Sequence, residues 1–304
     1  MSNLYIEGMC GIGDNIIQRC FIKQLTQRGQ EIWIKTPLPE IYQDLSNIHF
    51  VRANSRLRTQ KKNESITEIT FESVPHEIEC RRIFYGDFDL KQGSIINAME
   101  HCFGIPPAEI NLSNYFLPDI GLSQNKPIAL IRPTTERIEW HNSARGPLNE
   151  YVDCVAKILA CRGWHVVSVA DTEAGFEWIT DAEPFAHQKL HHGELTISQM
   201  LALVQCADIV VTGVGVVMLA AIAYKRPTIC LQGGCGGNNH HSKVTDNSCM
   251  DLSRMAFIYP DNYCRCQAMK HNCNKIISNL PARVTPFIEG VEASIVKDNN
   301  CGIF

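Results

Sequence analysis

The sequence predicts an α/β protein of two halves, each a parallel sheet covered by helices, facing each other across a cleft. Three observations support this. The chain has 304 residues, about twice the length of a typical domain. Both halves alternate short apolar strands with segments of helical periodicity. In each half a glycine-containing turn joins a strand to a helix, at residues 8–13 and 213–215, as in Rossmann-like folds.

The composition fits a globular protein with its own core, because 45% of the residues are hydrophobic and 20% are charged. The sequence contains no apolar run near the roughly 18 residues of a membrane span, and residues 1–7 lack the pattern of a secretory signal. We therefore expect a cytoplasmic protein without integral membrane association, whose 14 cysteines are mostly reduced. The net charge of -4 excludes a uniformly basic nucleic-acid-coating protein, but allows a local basic patch.

The first half begins with a β-α-β pattern. Residues 4–8 predict a strand, residues 15–28 an amphipathic helix, and residues 31–35 and 48–51 two more strands. Strands joined through a helix in this way form a parallel sheet. Residues 52–64 are polar and basic without apolar periodicity, so they are expected to form a loop.

The second half repeats this pattern after a proline- and glycine-containing linker at residues 117–127. Strands are predicted at residues 127–133, 164–170, 209–212 and 227–231, and helices at residues 148–162, 196–206 and 216–224. These elements predict an amino-terminal domain of residues 1–122 and a carboxy-terminal domain of residues 123–304. The tail from residue 281 to residue 304 is expected to form a helix that could cross back to the first domain.

The turn from Gly8 to Asp14 joins the first strand to the first helix. Glycines let the backbone turn tightly and leave room for a ligand at the helix amino terminus. The spacing differs from G-x-G-x-x-G and no acidic residue ends the second strand, so a dinucleotide site is not predicted. Asp14 is either a helix cap or a carboxylate that takes a proton from an acceptor hydroxyl. In the second case Gly11 and Gly13 would lie against the acceptor.

Hydroxyl and guanidinium groups follow the first strand of the second half. Such groups suit a diphosphate, because arginine makes bidentate contacts with phosphate oxygens. The candidates are Arg132, Thr134, Thr135, Arg137 and Arg145. An ordinary charged loop is the alternative, but the concentration of arginines after a buried strand favours ligand binding.

The stretch from Thr212 to Met218 runs from a strand through Gly213 and Gly215 into a helix of small residues. The free amides of such a helix can face a phosphate. Taken alone, the glycine spacing is equally typical of tight packing between helix and sheet.

Together and in this order, the three stretches resemble the heptosyltransferase-type glycosyltransferases, family 9, which have the two-domain GT-B fold. The resemblance covers most of the chain. Its most specific part is the block at residues 207–212, continued by Leu219-Ala220-Ala221 and by residues 225–228. The resemblance implies that the carboxy-terminal half binds a nucleotide-sugar and the amino-terminal half binds the acceptor. It further implies an inverting transfer that needs no metal or other cofactor.

The resemblance also assigns roles to single residues. Asp14 becomes the general base, and Thr134, Thr135 and either Arg137 or Arg145 hold the donor diphosphate. The chain departs from the family where Gly213-Val214-Gly215 replaces Asp-Ser/Thr-Gly and Met218 replaces a histidine. Since those polar groups normally touch the donor, a catalytically inactive nucleotide-sugar-binding protein remains a second hypothesis.

Basic residues in the first half suggest a polyanionic acceptor. Arg56, Arg58 and Lys61 lie in an aperiodic stretch, which is either a solvated loop or an attractive surface for a polyanion. Two acceptors fit: a bacterial surface glycan such as a lipopolysaccharide core, and hydroxymethylated pyrimidines in DNA, as modified by phage-type transferases.

Two further clusters lie near the carboxyl terminus. Four glycines within residues 233–237 predict a flexible loop, and the adjacent histidine pair at residues 240–241 is expected to be solvated or structural. Cys264, Cys266 and Cys273 allow a zinc site with His271 as a fourth ligand. The C-x-C-x6-C spacing lacks the paired knuckles of zinc motifs, so we predict no bound metal.

Overall fold

The computed structural model describes residues 3–301, with side chains described up to residue 296. The chain divides into two compact units. The first comprises the chain up to Tyr115 together with residues 196–198 and 241–251. The second comprises the chain from Phe116 onward apart from these two segments.

The first unit contains a parallel sheet of four strands. They are β1 (Leu4–Glu7), β2 (Ile32–Thr36), β3 (Ile48–Arg52) and β4 (Glu79–Arg82), in the spatial order β3-β2-β1-β4. Its helices are α1 (Ile12–Gln27), α2 (Arg58–Ile66), α3 (Asp87–Gln92) and α4 (Ile95–Phe103). Successive strands are added on one side of β1 as far as β3, and β4 then joins the other side. Ligands bind at such a reversal, beyond the carboxyl ends of the strands.

Helix α1 carries much of the apolar core of the first unit. Ile16, Ile17 and Phe21 are buried, and the Phe21 ring stacks on Phe103 of α4 with 4.8 Å between centroids. Burying each such side chain stabilises the fold by about 1.5–3 kcal/mol. Because the buried residues of α1 recur at helical spacing, the sequence predicted this helix, although it begins three residues earlier than expected.

The expected loop at residues 52–64 is wrong in its second part, which is helix α2. This helix buries polar side chains instead of apolar ones. Asn63 donates to the Glu40 carboxylate at 2.9 Å, while the carboxylate of Glu64 accepts the amides of residues 53–55 at 2.8–3.2 Å. An apolar-periodicity criterion cannot detect a helix held by such contacts. Strand β4 was missed for a similar reason, since it is a charged edge strand.

The second unit contains a parallel sheet of six strands in the order β12-β11-β10-β5-β7-β9. These are β5 (Ile128–Ile131), β7 (His165–Val169), β9 (Gln188–Leu190), β10 (Ile209–Thr212), β11 (Thr228–Leu231) and β12 (Met255–Ile258), while β6 (Thr135–Arg137) and β8 (Glu177–Ile179) form an antiparallel pair. The six-stranded order is that of a complete Rossmann sheet, whose reversal lies between β5 and β10. The predicted α/β class with two Rossmann-like sheets is confirmed.

Helices cover the second sheet. They are α5 (Asn149–Cys161), α6 (Ile197–Cys206), α7 (Val216–Ala223), α8 (Gly236–Asn239) and α9 (Leu280–Cys301). The carboxy-terminal helix α9 packs on the core of the second unit, because its Val284 and Ile288 are buried in the same cluster as Val155 of α5 and Ile131 of β5. Within residues 3–301, no helix has both the length and the hydropathy needed to cross a membrane.

A buried carboxyl gives the first unit a pH-dependent stability. Burial raises the pKa of Glu40 to about 7, against about 4.3 in an unfolded chain. The folded state therefore keeps the Glu40 proton to higher pH than the unfolded state does. The stabilisation of the folded state that comes from this tighter proton binding is lost as pH rises from about 4.3 to about 7.

We predict that Glu40→Gln flattens this dependence. In the unchanged protein this carboxyl makes the free energy of unfolding about 2–3 kcal/mol lower at about pH 8 than at about pH 5. Urea unfolding at the two pH values measures the difference. The matched control is Glu68→Gln on the exposed surface, and an unchanged slope in Glu40→Gln would contradict the assignment.

Candidate functional site

In each unit a group of the predicted site residues follows the strands that flank the reversal of strand order. In the first unit these strands are β1 and β4, followed by the turn at residues 8–11 and by residues 83–86. In the second unit they are β5 and β10, followed by residues 132–134 and 213–215. Parallel sheets place their ligands at these positions.

The buried side chain of Asn15 fixes the turn after β1. Its amide nitrogen donates to the carbonyls of Met9 and Gly11 at 2.9 and 2.8 Å. Its oxygen accepts from the hydroxyls of Thr36 and Tyr42 at 2.8 and 2.9 Å. Every hydrogen-bonding atom of this amide is therefore used, and the backbone of the turn is tied to β2.

Asp14 lies in the first turn of α1 and is not its cap. The N-cap is Gly11, which makes no side-chain cap. The hydroxyl of Tyr85 donates to Asp14 Oδ1 at 2.7 Å, which orients the carboxylate. A Cβ at Gly11 would displace the Asp14 carboxylate from this position, because it would collide with Asp14 Oδ2. Gly13 lies in the same helical turn.

Aromatic side chains next to Tyr85 were missed by sequence reasoning. Phe84 is 59% exposed and Phe88 is 72% exposed, so both rings face solvent beside the residue that contacts Asp14. The available signal was the aromatic and glycine sequence at residues 84–88, which followed an unrecognised strand.

The predicted acceptor-binding cations lie elsewhere in the first unit. Arg56, Arg58 and Lys61 belong to the start of α2 and the residues before it, and Arg56 and Lys61 are exposed. This segment follows β3, the edge strand two places from β1. Their role in acceptor binding stays a prediction.

In the second unit a buried asparagine again fixes the turn after the first strand. Asn149, the first residue of α5, accepts the amide of Thr134 at 2.8 Å and donates to the carbonyls of Thr134 and Thr180. The hydroxyl of Thr134 donates to the Pro147 carbonyl at 2.7 Å. Gly146, at φ 78°, leaves room for the Thr134 side chain.

Arg145 connects the two loops that flank the reversal in the second sheet. Its guanidinium donates to the Val214 carbonyl at 3.4 Å and lies 5.5 Å from the ring centroid of Trp140. Gly213 is close to Pro147, where a Cβ would come within 2.9 Å of the proline ring. The segment before α5 and the loop after β10 therefore meet at Arg145.

A pocket of about 820 Å³ opens beside Thr134 and Arg145. Lys275 also lines this pocket, together with Glu136 and Asp181. The ammonium of Lys275 donates to the carbonyls of Ser143 and Arg145 at 2.9 and 3.3 Å. Burial lowers the pKa of Lys275, because desolvation disfavours the charged ammonium. An anionic ligand beside the ammonium would offset this effect. Sequence reasoning missed Lys275 because 130 residues separate it from Arg145.

Two other predicted donor-binding residues after β5, Arg132 and Thr135, contact Glu177. Arg132 lies 3.7 Å from its carboxylate, and the Thr135 hydroxyl donates to it at 2.8 Å. Burial lowers the pKa of Arg132. Arg137 lies 5.8 Å from the ring centroid of Trp140, so it is on the same indole as Arg145.

The stretch after β10 is mostly buried. The Thr212 hydroxyl donates to the Gly213 carbonyl at 3.1 Å. Met218 is a core residue, fully buried with its sulfur 3.5 Å from Cys230 Sγ. Gly215 is the extended N-cap of α7 and has open space where a Cβ would be.

The glycine-rich segment at residues 233–237 is packed, which corrects the expected flexible loop. A Cβ at Gly233 would overlap the backbone of Gly146, and one at Gly234 would lie 2.5 Å from the Ala144 carbonyl oxygen. These glycines are needed for close packing and not for mobility. Of the neighbouring histidine pair, His240 stacks on Tyr259 at 5.4 Å.

Solved structures of similar architecture exist, whereas no protein-family model and no curated protein matches the chain. TibC of enterotoxigenic E. coli H10407, described as an iron-containing dodecameric glycosyltransferase, has a TM-score of 0.62 at 11% identity, covering 97% of this chain and 76% of its own. E. coli ADP-heptose lipopolysaccharide heptosyltransferase II has a TM-score of 0.56 at 13% identity, and the match covers 96% of this chain and 98% of that protein. E. coli heptosyltransferase WaaC with ADP has a TM-score of 0.52 at 12% identity, and the match covers 96% of this chain and 100% of that protein.

The fold is that of the heptosyltransferases. The GT-B fold and the likeness to this group, both predicted from the order of three motifs, are thus confirmed at the level of structure. At such low identity the likeness establishes the fold alone, and the chemistry has to be argued from the residues.

We predict that Gly234→Ala destabilises the protein by about 1–3 kcal/mol, because the added methyl would press on the Ala144 carbonyl and on the Cys273 side chain. Gly215→Ala is the matched control, since its Cβ meets no atom within 4 Å. Chemical denaturation measures both variants. Equal losses in the two would show that the 233–237 segment is not tightly packed.

Proposed function

We propose that this chain is an inverting glycosyltransferase that uses a nucleotide-diphosphate-sugar as donor. The observation that carries the proposal is the pocket of the second unit, where Arg145, Lys275 and Thr134 converge next to the amino end of α5. Two cations and a hydroxyl at a helix amino terminus suit a diphosphate. The fold of the heptosyltransferases supports the same reaction class.

The donor half of the proposal follows from charge. As the sugar–phosphate bond breaks, its electron pair leaves with the nucleoside diphosphate, and fixed cations stabilise the developing charge. Arg145 and Lys275 supply them, so the transfer step needs no metal. Glu136 and Asp181, in the same pocket, suit the hydroxyls of a sugar. WaaC was solved with ADP and TibC with ADP-D-β-D-heptose, so ADP-sugars are the first donors to assay.

The acceptor half depends on Asp14. Its carboxylate takes the proton of the acceptor hydroxyl as the oxygen attacks the anomeric carbon. The hydrogen bond from Tyr85 holds the carboxylate in one orientation. The acceptor oxygen gives its proton to Asp14 and forms the new bond to the anomeric carbon, while the bond from that carbon to the diphosphate breaks. Because attack and departure occur on opposite faces of the sugar, the configuration is inverted.

We assign a surface glycan such as a lipopolysaccharide core as the acceptor. The exposed rings of Phe84 and Phe88 beside Tyr85 can stack on the apolar faces of sugars, and the cations Arg56, Arg58 and Lys61 suit phosphate groups on the glycan. The free cysteines among the described residues fit a reducing compartment, which supports a cytoplasmic location.

Mass spectrometry of transfer products tests the function. The protein is incubated with a panel of nucleotide-sugars and, in parallel, with lipopolysaccharide core and hydroxymethylated DNA. A sugar-sized mass gain on the glycan supports the proposal. A gain on DNA nucleosides would replace the acceptor by hydroxymethylated pyrimidine. Donor binding without any product, across the panel, would instead identify a nucleotide-sugar-binding protein.

We predict that Asp14→Asn lowers kcat by about 10²–10⁴-fold, the usual contribution of a general base, while donor affinity stays within about twofold. Steady-state kinetics and calorimetric donor binding measure the two effects. Tyr85→Phe is the companion variant, because it removes only the hydrogen bond that orients the carboxylate. Full activity in Asp14→Asn would rule out Asp14 as the base.

We predict that Arg145→Ala weakens donor binding by about 10–100-fold, since a hydrogen bond to a charged group contributes about 1.5–3 kcal/mol. Arg137→Ala is the control, because Arg137 shares Trp140 but does not line the pocket. Calorimetry with the nucleoside diphosphate measures both. A larger loss in Arg137→Ala would place the diphosphate on the other side of the indole.

A further inference from the structure

Three thiols and an imidazole converge in the segment at residues 264–273. The sulfurs of Cys264, Cys266 and Cys273 and a ring nitrogen of His271 all lie within 4.8 Å of one another. Cys273 is only 9% exposed. His271 and Cys273 line the pocket proposed for the donor, but none of the four side chains is assigned a role in donor binding.

Three of the distances between these atoms are close to those of a tetrahedral metal centre. A metal–sulfur bond of about 2.3 Å and a metal–nitrogen bond of about 2.0–2.1 Å place two sulfurs about 3.8 Å apart and a sulfur and a nitrogen about 3.6 Å apart. Cys266 Sγ and Cys273 Sγ are 3.6 Å apart. His271 Nδ1 lies 3.6 Å from Cys264 Sγ and 3.3 Å from Cys273 Sγ.

We propose that Cys264, Cys266, His271 and Cys273 bind one zinc or iron ion. Three thiolates and one imidazole are the ligand chemistry of these two metals in tetrahedral sites. This replaces the prediction of no bound metal, which relied on the absence of paired knuckles. Here the chain supplies all four ligands from one short segment, and the tertiary structure brings them together.

The backbone around the cluster gives independent support. Three consecutive amides approach three of the four ligand residues: the amide of Cys235 donates to Cys273 Sγ at 3.4 Å, while those of Gly236 and Gly237 donate to the carbonyls of Cys264 and Cys266 at 2.9 and 2.8 Å. The bond to the Cys273 sulfur stabilises thiolate charge, while the two bonds to backbone carbonyls position the residues that carry the other sulfurs. The packed glycines thus hold the ligand segment in place.

The ion has a structural role. Four protein ligands close the coordination sphere, which is typical of structural and not catalytic sites. The ligand segment is joined to the loop that carries Arg145, because Ala144 donates to the Met269 carbonyl at 3.2 Å and Lys275 donates to the Arg145 carbonyl at 3.3 Å. The ion therefore fixes the wall of the pocket without taking part in the transfer step.

Elemental analysis of the full-length chain tests the proposal without any donor or acceptor. We expect about one zinc or iron per chain, and visible absorption separates them because iron–thiolate centres are coloured and zinc centres are not. Cys266→Ser and Cys273→Ser should each lower the bound metal by about tenfold or more. The matched control, Cys161→Ser, changes an exposed cysteine outside the cluster and should keep the metal.

Two further measurements cover variants that fail to fold. His271→Cys preserves four ligands and should keep the metal, whereas His271→Ala should weaken it. Replacing the native ion by cobalt in the unchanged chain should give the absorption of tetrahedral cobalt–thiolate. A metal-free chain with a Cys266–Cys273 disulfide, or equal metal loss in Cys161→Ser, would overturn the proposal whatever the transferase assays show.

Discussion

In each unit, a buried asparagine at the start of the first helix holds the turn that follows the first strand. Asn15 ties the turn after β1 to β2, and Asn149 ties the turn after β5 to the residue that follows β8. Both side chains are fully buried, so each unmade hydrogen bond would cost about 1–3 kcal/mol. This requirement keeps Asp14 and Thr134 in defined positions at the carboxyl ends of their sheets.

The second unit also depends on the close packing of the glycine backbone at residues 233–237. Residues 233–237 lie directly against the loop at 144–146 and against the segment with the cysteine cluster. Side chains at these positions would separate the three segments. Arg145 and Lys275 consequently reach the same pocket although they are far apart in the sequence. The position of these two cations in one pocket therefore depends on this packing.

The polar core of the first unit follows a different principle. Helix α2 is held by Asn63 and Glu64, whose partners are a buried carboxylate and three backbone amides. Buried polar groups of this kind stabilise a fold only when their hydrogen bonds are made. They also make the unit sensitive to pH, since Glu40 is held in an environment that favours its protonated form.

The sequence by itself determined the strands and helices with clear periodicity, the α/β class, and the turn that carries Asp14. Regularly spaced apolar residues predicted those elements, because burial of the apolar face of a helix or strand is also what stabilises it in the fold. Motif order was enough to predict the fold of the heptosyltransferases. Of the residues proposed for donor binding, Thr134 and Arg145 were recognisable because each lies close in sequence to a predicted strand.

Only the tertiary structure decided the rest. It placed Tyr85 on Asp14 and Lys275 beside Arg145, packed the glycines that had suggested a flexible loop, and buried Met218 in the core. It also brought His271 to three cysteines at distances suited to a metal. These outcomes depend on contacts between segments distant in the chain, or on side-chain directions that spacing along a sequence does not define. The physical reason is that hydrogen bonding and close packing act through space, whereas periodicity reports only which face of an element is buried.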